Sequence, residues 1–297
     1  MSEPAPARLA ATVLLLRDGN SGLEVFMVVR HREIDFASGA LVFPGGSLEP
    51  GDHAIAADST RCGPAGGLGQ RDRAIRVAAV RETFEECGVL LARPRGSNDW
   101  LAGARVAELG QKHRGRSFSE WLIDEDLELA LDALTPFAHW ITPAALPKRF
   151  DTHFFILAAP QDQSARHDGS ESVDSLWTHP ARALADAETG KHTLVLATRL
   201  NLQKLAQSPD VASALAACAS GGDRGAGRGE DGARLRNSHS RRCRLRRGNL
   251  QNLASRHPQC AIALADLVAL GLQLNRYQGD ADARISCGPI AEDTRTP

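Results

Sequence analysis

The chain has 297 residues, 42% of them hydrophobic, and a formal net charge of -1. That suffices to bury a core in one elaborated domain, or one domain plus appendages, while the near-neutral charge gives no global field to hold nucleic acid or an anionic membrane. Six cysteines without a C-x-x-C pair argue against a zinc knuckle or thioredoxin-like site, and no segment, the N-terminal one included, is long and apolar enough to span a bilayer, so a cytoplasmic protein with reduced thiols is expected.

Residues 9–16 (LAATVLLL) and 23–30 (LEVFMVVR) are predicted strands, and Asp18-Gly19-Asn20-Ser21-Gly22 between them carries hairpin chemistry. A third apolar segment, 40–43, runs into Pro44-Gly45-Gly46. A glycine-rich loop at 62–70 precedes a helix predicted over about 72–87, stopped by Gly88 in a left-handed conformation. Residues 98–134 are mostly helical in pattern, strands return at 139–141 and 152–158, and helices are expected at 180–187 and 195–207. Strands and helices in irregular alternation predict an α/β (α+β) fold with a mixed central sheet covered by helices. From 221 to 247 the chain is rich in glycine and arginine and is read as disordered. Its basic run is read as a solvated linker, since no aromatic residues are interleaved to stack on bases. A short apolar helix is expected at about 260–273.

The segment that carries chemistry is Arg81-Glu82-Thr83-Phe84-Glu85-Glu86-Cys87-Gly88-Val89. Residues three and four apart share a helix face, so Glu82, Glu85 and Glu86 form one carboxylate cluster. Hard oxygen ligands of this kind suit magnesium or manganese shared with substrate phosphates. Arg81, four residues before Glu85, can orient a carboxylate from the side. Ile75, Ala79, Val80 and Phe84 on the opposite face are expected to pack on the sheet.

This string resembles the Nudix box, G-x5-E-x7-R-E-U-x-E-E-x-G-U, where U is a bulky aliphatic residue. Gly46 stands at the first glycine, Asp52 at the first glutamate, and Arg81, Glu82, Glu85, Glu86, Gly88 and Val89 match the second half. Thr83 replaces the aliphatic residue. Between Asp52 and Arg81 lie 28 residues where the pattern has seven, so 21 are inserted, and they can loop out at small entropic cost. Gly39-x3-Phe43-Pro44-Gly45-Gly46 preceded by Arg30, the string Trp140-Ile141-Thr142-Pro143, and the run from Pro147 through Arg149 to Phe155 look like the coenzyme A diphosphatase branch. That branch includes the animal peroxisomal Nudix nineteen enzyme and bacterial relatives. The likeness covers roughly residues 9–207.

The resemblance implies an α/β/α sandwich spanning 1–217, with an insertion in the box at 53–80 and a helical insertion at about 98–138. The region 218–297 lies outside the likeness as a Gly/Arg-rich, poorly ordered tail. The resemblance further implies Mg2+ or Mn2+ as cofactor, held by Glu82, Glu85 and Glu86. Glu85, Glu86 or Glu171 would serve as base, and Arg81 would position the ligands. Gly45, Gly46, Arg30 and Arg149 are candidates for contact with metal or substrate. The implied reaction is hydrolysis of a diphosphate linkage in a small molecule, foremost coenzyme A or an acyl-coenzyme A, giving adenosine 3',5'-bisphosphate and a phosphopantetheine. Other readings are a Nudix hydrolase for nucleotide sugars, dinucleoside polyphosphates or capped RNA, and a Nudix-fold binding protein without turnover. Glu171 has an ordinary reading as a loop glutamate, Arg30 and Arg149 as ion-pair residues, and His139 and His153 as core or surface histidines.

Overall fold

Apolar residues on both faces of the first strand set the centre of the fold. The computed structural model describes residues 5–221 apart from 32–38, 65–66, 145, 147 and 170–171. Strand β1 (Arg8–Gly19) buries Ala11, Val13 and Leu15 on one face and Leu14 and Leu16 on the other. A strand buried on both faces belongs inside a sheet flanked by helices. β2 (Gly22–Arg30) returns antiparallel through the two-residue turn Asn20-Ser21, with Gly19 opposite Gly22. Gly22 has φ 108°, a conformation open to glycine and strained for other residues. β3 (Leu41–Val42) edges β2, and β4 (Gly45–Ser47) pairs antiparallel with β1.

Helix α1 (Pro50–Ala57) follows, then a 3-10 turn, Ser59–Arg61, then α2 (Gln70–Cys87), which carries the glutamates. Glu49 and Asp52 cap α1 reciprocally, side chain to backbone, and Pro50 sits where its missing N–H costs nothing. Gly88 ends α2 at φ 68° and donates its N–H to the Phe84 carbonyl at 2.8 Å, the expected left-handed stop. The box insertion at 53–80 is therefore largely helical rather than looped out. It completes α1, closes a turn, and extends α2 by three turns at its N-terminal end. Apolar spacing at Ile55, Ala74, Ile75, Val77, Ala78 and Val80 holds it to the core.

The insertion expected at 98–138 is only partly helical. β5 (Ala92–Pro94), α3 (Gly103–Lys112), α4 (Phe118–Asp124) and β6 (Leu127–Leu129) come in turn, and β5 and β6 form a separate two-stranded sheet. Leu127 and Leu129 alternate inward, which is strand periodicity hidden inside a helical-looking stretch. Glu125, just past α4, accepts from Lys112 Nζ at 2.7 Å and Arg105 Nη2 at 2.8 Å and lies 2.7 Å from His113 Nε2, tying α3 to this segment.

β7 (Thr135–Ile141) and β8 (Phe150–Ala158) form a hairpin, and β9 (Ser172–Thr178) pairs with β2. β7 begins inside the span expected to be helical. β8 runs parallel to β1, with Ala11 opposite His153 and Val13 opposite Phe155. The sheet is thus mixed and seven-stranded, ordered β3-β2-β1-β8-β7, with β4 on β1 and β9 on β2. One face packs against α2, and α1, α3 and α4 extend the same core around it. The other packs against α5 (Pro180–Glu188), α6 (Leu196–Leu205) and α7 (Val211–Gly221) through Leu14, Met27, Ile156, Ala183, Leu202, Leu205 and Val211. Helices on both faces give the expected sandwich. α7 carries the fold past residue 217, and the tail beyond Gly221, with the helix expected at about 260–273, lies outside the described residues. Among the described residues, no helix is long and apolar enough to cross a membrane.

Candidate active site

Arg81 is the hub of the box. It is buried on α2, and its guanidinium makes five hydrogen bonds, one for each N–H it has. Nε donates to Asp52 Oδ1 at 2.9 Å and Nη2 to Asp52 Oδ2 at 3.0 Å, a bidentate pair. Nη2 also donates to the Ser47 carbonyl at 2.9 Å. Nη1 donates to Glu82 Oε1 at 3.0 Å and to Glu85 Oε2 at 2.9 Å. Burial works against the charge, but the Asp52 hydrogen bond and the carboxylates of Glu82, Asp52 and Glu85 outweigh it and raise the pKa further.

Asp52 occupies the box's first acidic position, 29 residues before Arg81 in sequence, and is 1% exposed. The helical insertion therefore brings these two groups together where seven spacers would otherwise do so. Asp52 also accepts from the Glu49 N–H at 2.8 Å, so the cap of α1 and the clamp on α2 share one carboxylate. The shorter aspartate suffices because α1 itself delivers it. Thr83, at the aliphatic position, is fully buried and returns its hydroxyl to the Ala79 carbonyl at 2.7 Å, which satisfies the polar group inside the helix.

The three glutamates gather around this hub and β4. Glu86 is buried, and its Oε2 accepts the Gly45 N–H at 2.9 Å. Glu82 lies against Gly46, where a Cβ would stand 2.3 Å from Glu82 Oε1, so only glycine leaves that carboxylate its place. Gly45 is tighter still, since a Cβ there would meet the Ala11 carbonyl oxygen at 2.3 Å and Thr12 Cα at 2.7 Å. Glu85 reaches furthest toward solvent. Burial raises its pKa, Arg81 opposes that, and Glu49 and Asp52 add to it. Three carboxylates with no sulfur or nitrogen donor are the ligand chemistry of a hard divalent cation. On that ground Glu82, Glu85 and Glu86 fit magnesium or manganese.

The remaining sequence candidates fall elsewhere. Arg30 ends β2, and its Nε is shielded from solvent without a hydrogen-bond partner. Arg149 donates from Nε to the Thr142 carbonyl at 3.1 Å and from Nη1 to the Ala5 carbonyl at 2.6 Å, pinning the β7–β8 turn to the chain before β1. Glu171 lies outside the described residues. Sequence reasoning missed the Ser47 carbonyl and the capping role of Glu49. The string Glu49-Pro50-Gly51-Asp52 was the available signal, a cap residue followed three positions later by an acid with proline between.

Sheet, helix and carboxylate cluster together define a Nudix hydrolase domain, and comparison with known proteins agrees. The chain is 32% identical to a NUDIX hydrolase from Alicyclobacillus acidocaldarius of known crystal structure, over 71% of this chain and 96% of that one, with a TM-score of 0.61. The chain belongs to the Nudix hydrolase family. Within that family, a profile of the NUDT19 Nudix domain matches residues 64–197. The acyl-coenzyme A diphosphatase NUDT19 of Xenopus laevis is 25% identical over 223 residues, 59% of this chain and 57% of that protein. A putative nudix hydrolase 7 of Caenorhabditis elegans is 26% identical over 205 residues, 68% of this chain and 62% of that protein. The chain thus spans about three-fifths of the length of these curated relatives.

Proposed function

We propose that this domain hydrolyses a diphosphate linkage in a nucleoside diphosphate derivative, with coenzyme A or an acyl-coenzyme A as substrate. The observation that carries the reading is the five-bonded Arg81, which holds Glu82 and Glu85 beside the Gly45–Gly46 strand that holds Glu86. The substrate class rests on the likeness to the NUDT19 Nudix domain.

Bound at the three carboxylates, Mg2+ or Mn2+ would neutralise diphosphate oxygens and acidify a water molecule. The protein's part is to hold the ligands and move the proton. Arg81 fixes Glu82 and Glu85 from behind, and the Gly45 amide fixes Glu86. One of Glu85, Glu86 or Glu171 takes the proton of the attacking water. Gly45 and Gly46, without side chains, let the backbone approach the diphosphate. Arg30, whose Nε is shielded from solvent without a hydrogen-bond partner, would offer that donor to an anionic group of the substrate. Arg149 supports the β7–β8 turn and acts on substrate only if that support is exchanged for a phosphate. Water adds across one phosphoanhydride bond and leaves a phosphate on each product, adenosine 3',5'-bisphosphate and a phosphopantetheine.

The test is incubation of the purified chain with coenzyme A, an acyl-coenzyme A, a nucleotide sugar, a dinucleoside polyphosphate and reduced nicotinamide dinucleotide. Each is run with Mg2+, Mn2+ or chelator, and products are resolved by mass. Metal-dependent release of adenosine 3',5'-bisphosphate is expected. Cleavage of another panel member instead would overturn the substrate and keep the chemistry, and a folded chain that cleaves none would overturn both.

A further inference from the structure

We propose that His139, Asp151 and His153 form a second metal site, for a borderline-soft divalent cation of the zinc class, independent of the box glutamates. β7 and β8 pair so that His139 stands directly opposite His153, and Asp151 lies two residues before His153 on the same face of β8. The two imidazoles stack with centroids 4.2 Å apart. His139 Nε2 meets Asp151 Oδ1 in a short hydrogen bond, and His153 Nε2 lies 3.7 Å from that same oxygen. One ligand atom from each residue lies within 4.8 Å of the other two, the one His/Cys/Asp/Glu group among the described residues to do so.

The cluster carries an unmet valence. His153 Nε2 is buried without a hydrogen-bond partner, although it points at a carboxylate 3.7 Å away. An orphaned buried polar atom is costly, and a cation between Nε2 and Asp151 would satisfy it. Two imidazoles and one carboxylate are the ligand set of open zinc sites, with bonds of about 2.0–2.2 Å and a fourth position for water. His139 is half-exposed, so that fourth position faces solvent. Arg71 at the start of α2 donates to Asp151 Oδ2 at 3.4 Å and can orient the carboxylate from outside the ligand set. Arg71 precedes Glu82 by eleven residues on one helix, about 16 Å along the axis, so the two sites do not share ligands.

The experiment uses the full chain, stripped with chelator and returned to excess Mg2+. Co2+ is titrated by visible absorption, and Zn2+ is titrated in competition with a chromophoric chelator. Wild type is expected to bind one equivalent more than the His139→Ala/His153→Ala variant, with a d–d spectrum free of thiolate charge transfer. His139→Ala alone, at the exposed edge, should weaken Zn2+ at least 10-fold with its melt otherwise unchanged, which guards against a double variant that fails to fold. Zn2+ should raise the melting temperature of wild type and not of His139→Ala. Equal stoichiometry and affinity in wild type and variants would overturn the proposal. So would loss of the extra equivalent in Glu85→Gln/Glu86→Gln with the histidines intact.

Discussion

Replacing Arg81 with lysine keeps the charge and removes the fork. Lysine has three N–H donors where Arg81 uses five, so at least two of its acceptors lose their partner. Glu82 and Glu85 can recruit water, because Glu85 is 44% exposed and Glu82 is 14% exposed. Asp52, 1% exposed, cannot do so readily, and the cost falls on it and on the Ser47 carbonyl. Hydrogen bonds involving a charged group contribute about 1.5–3 kcal/mol each, so two losses cost about 3–6 kcal/mol. For a domain this size, at about 2–4 °C per kcal/mol, Arg81→Lys should lower the melting temperature by on the order of 10 °C. The loosened Glu82 and Glu85 should also weaken Mg2+ about 10- to 100-fold. Thermal melts with and without metal, and Mg2+ titrations of activity, read both effects. A variant that melts within about 2 °C of wild type and keeps its metal affinity would refute the hub assigned to Arg81.

Other perturbations separate fold from chemistry. Gly46→Ala places a methyl on the Glu82 carboxylate, a movable side-chain end, so turnover should fall at least 10-fold with little change in the melt, whereas Gly45→Ala collides with the Ala11 and Thr12 backbone and should destabilise by several kcal/mol. Urea unfolding and steady-state rates on both variants check the contrast. Glu86→Gln retains an oxygen to accept the Gly45 N–H, so the fold should survive while kcat falls at least 100-fold. Saturating Mg2+ at 100 times its Kd should stabilise the wild type by about 2.7 kcal/mol, an effect that Glu86→Gln blunts and chelator abolishes. Lys112 and His113 hydrogen bonds hold the Glu125 carboxyl down to about 2 from an ordinary 4.5. That stability is complete above the unfolded value and is lost as pH falls from about 4.5 toward 2. Wild type and Glu125→Gln should therefore differ in urea midpoint at pH 7 and converge near pH 2.

The local parts of the fold were legible because their signals are local. Glu82, Glu85 and Glu86 share a face by helical period, Gly88 stops α2 by its backbone freedom, and continuous apolar runs either side of a turn mark β1 and β2. What needed the tertiary structure depends on where separate elements meet. The β5–β6 strands are too short for periodicity to separate from the helices around them. α1 was not assigned from the sequence, because it is short and opens on Pro50 and Gly51, residues as common in turns as at a helix start. The Asp52–Arg81 pair spans an insertion whose length says nothing about where its ends come to rest, and α1 decides it by delivering Asp52 to the buried guanidinium. His139 and His153 are fourteen residues apart and unremarkable singly. The hairpin register sets them face to face, since one residue of slip would send one ring to the other side of the sheet.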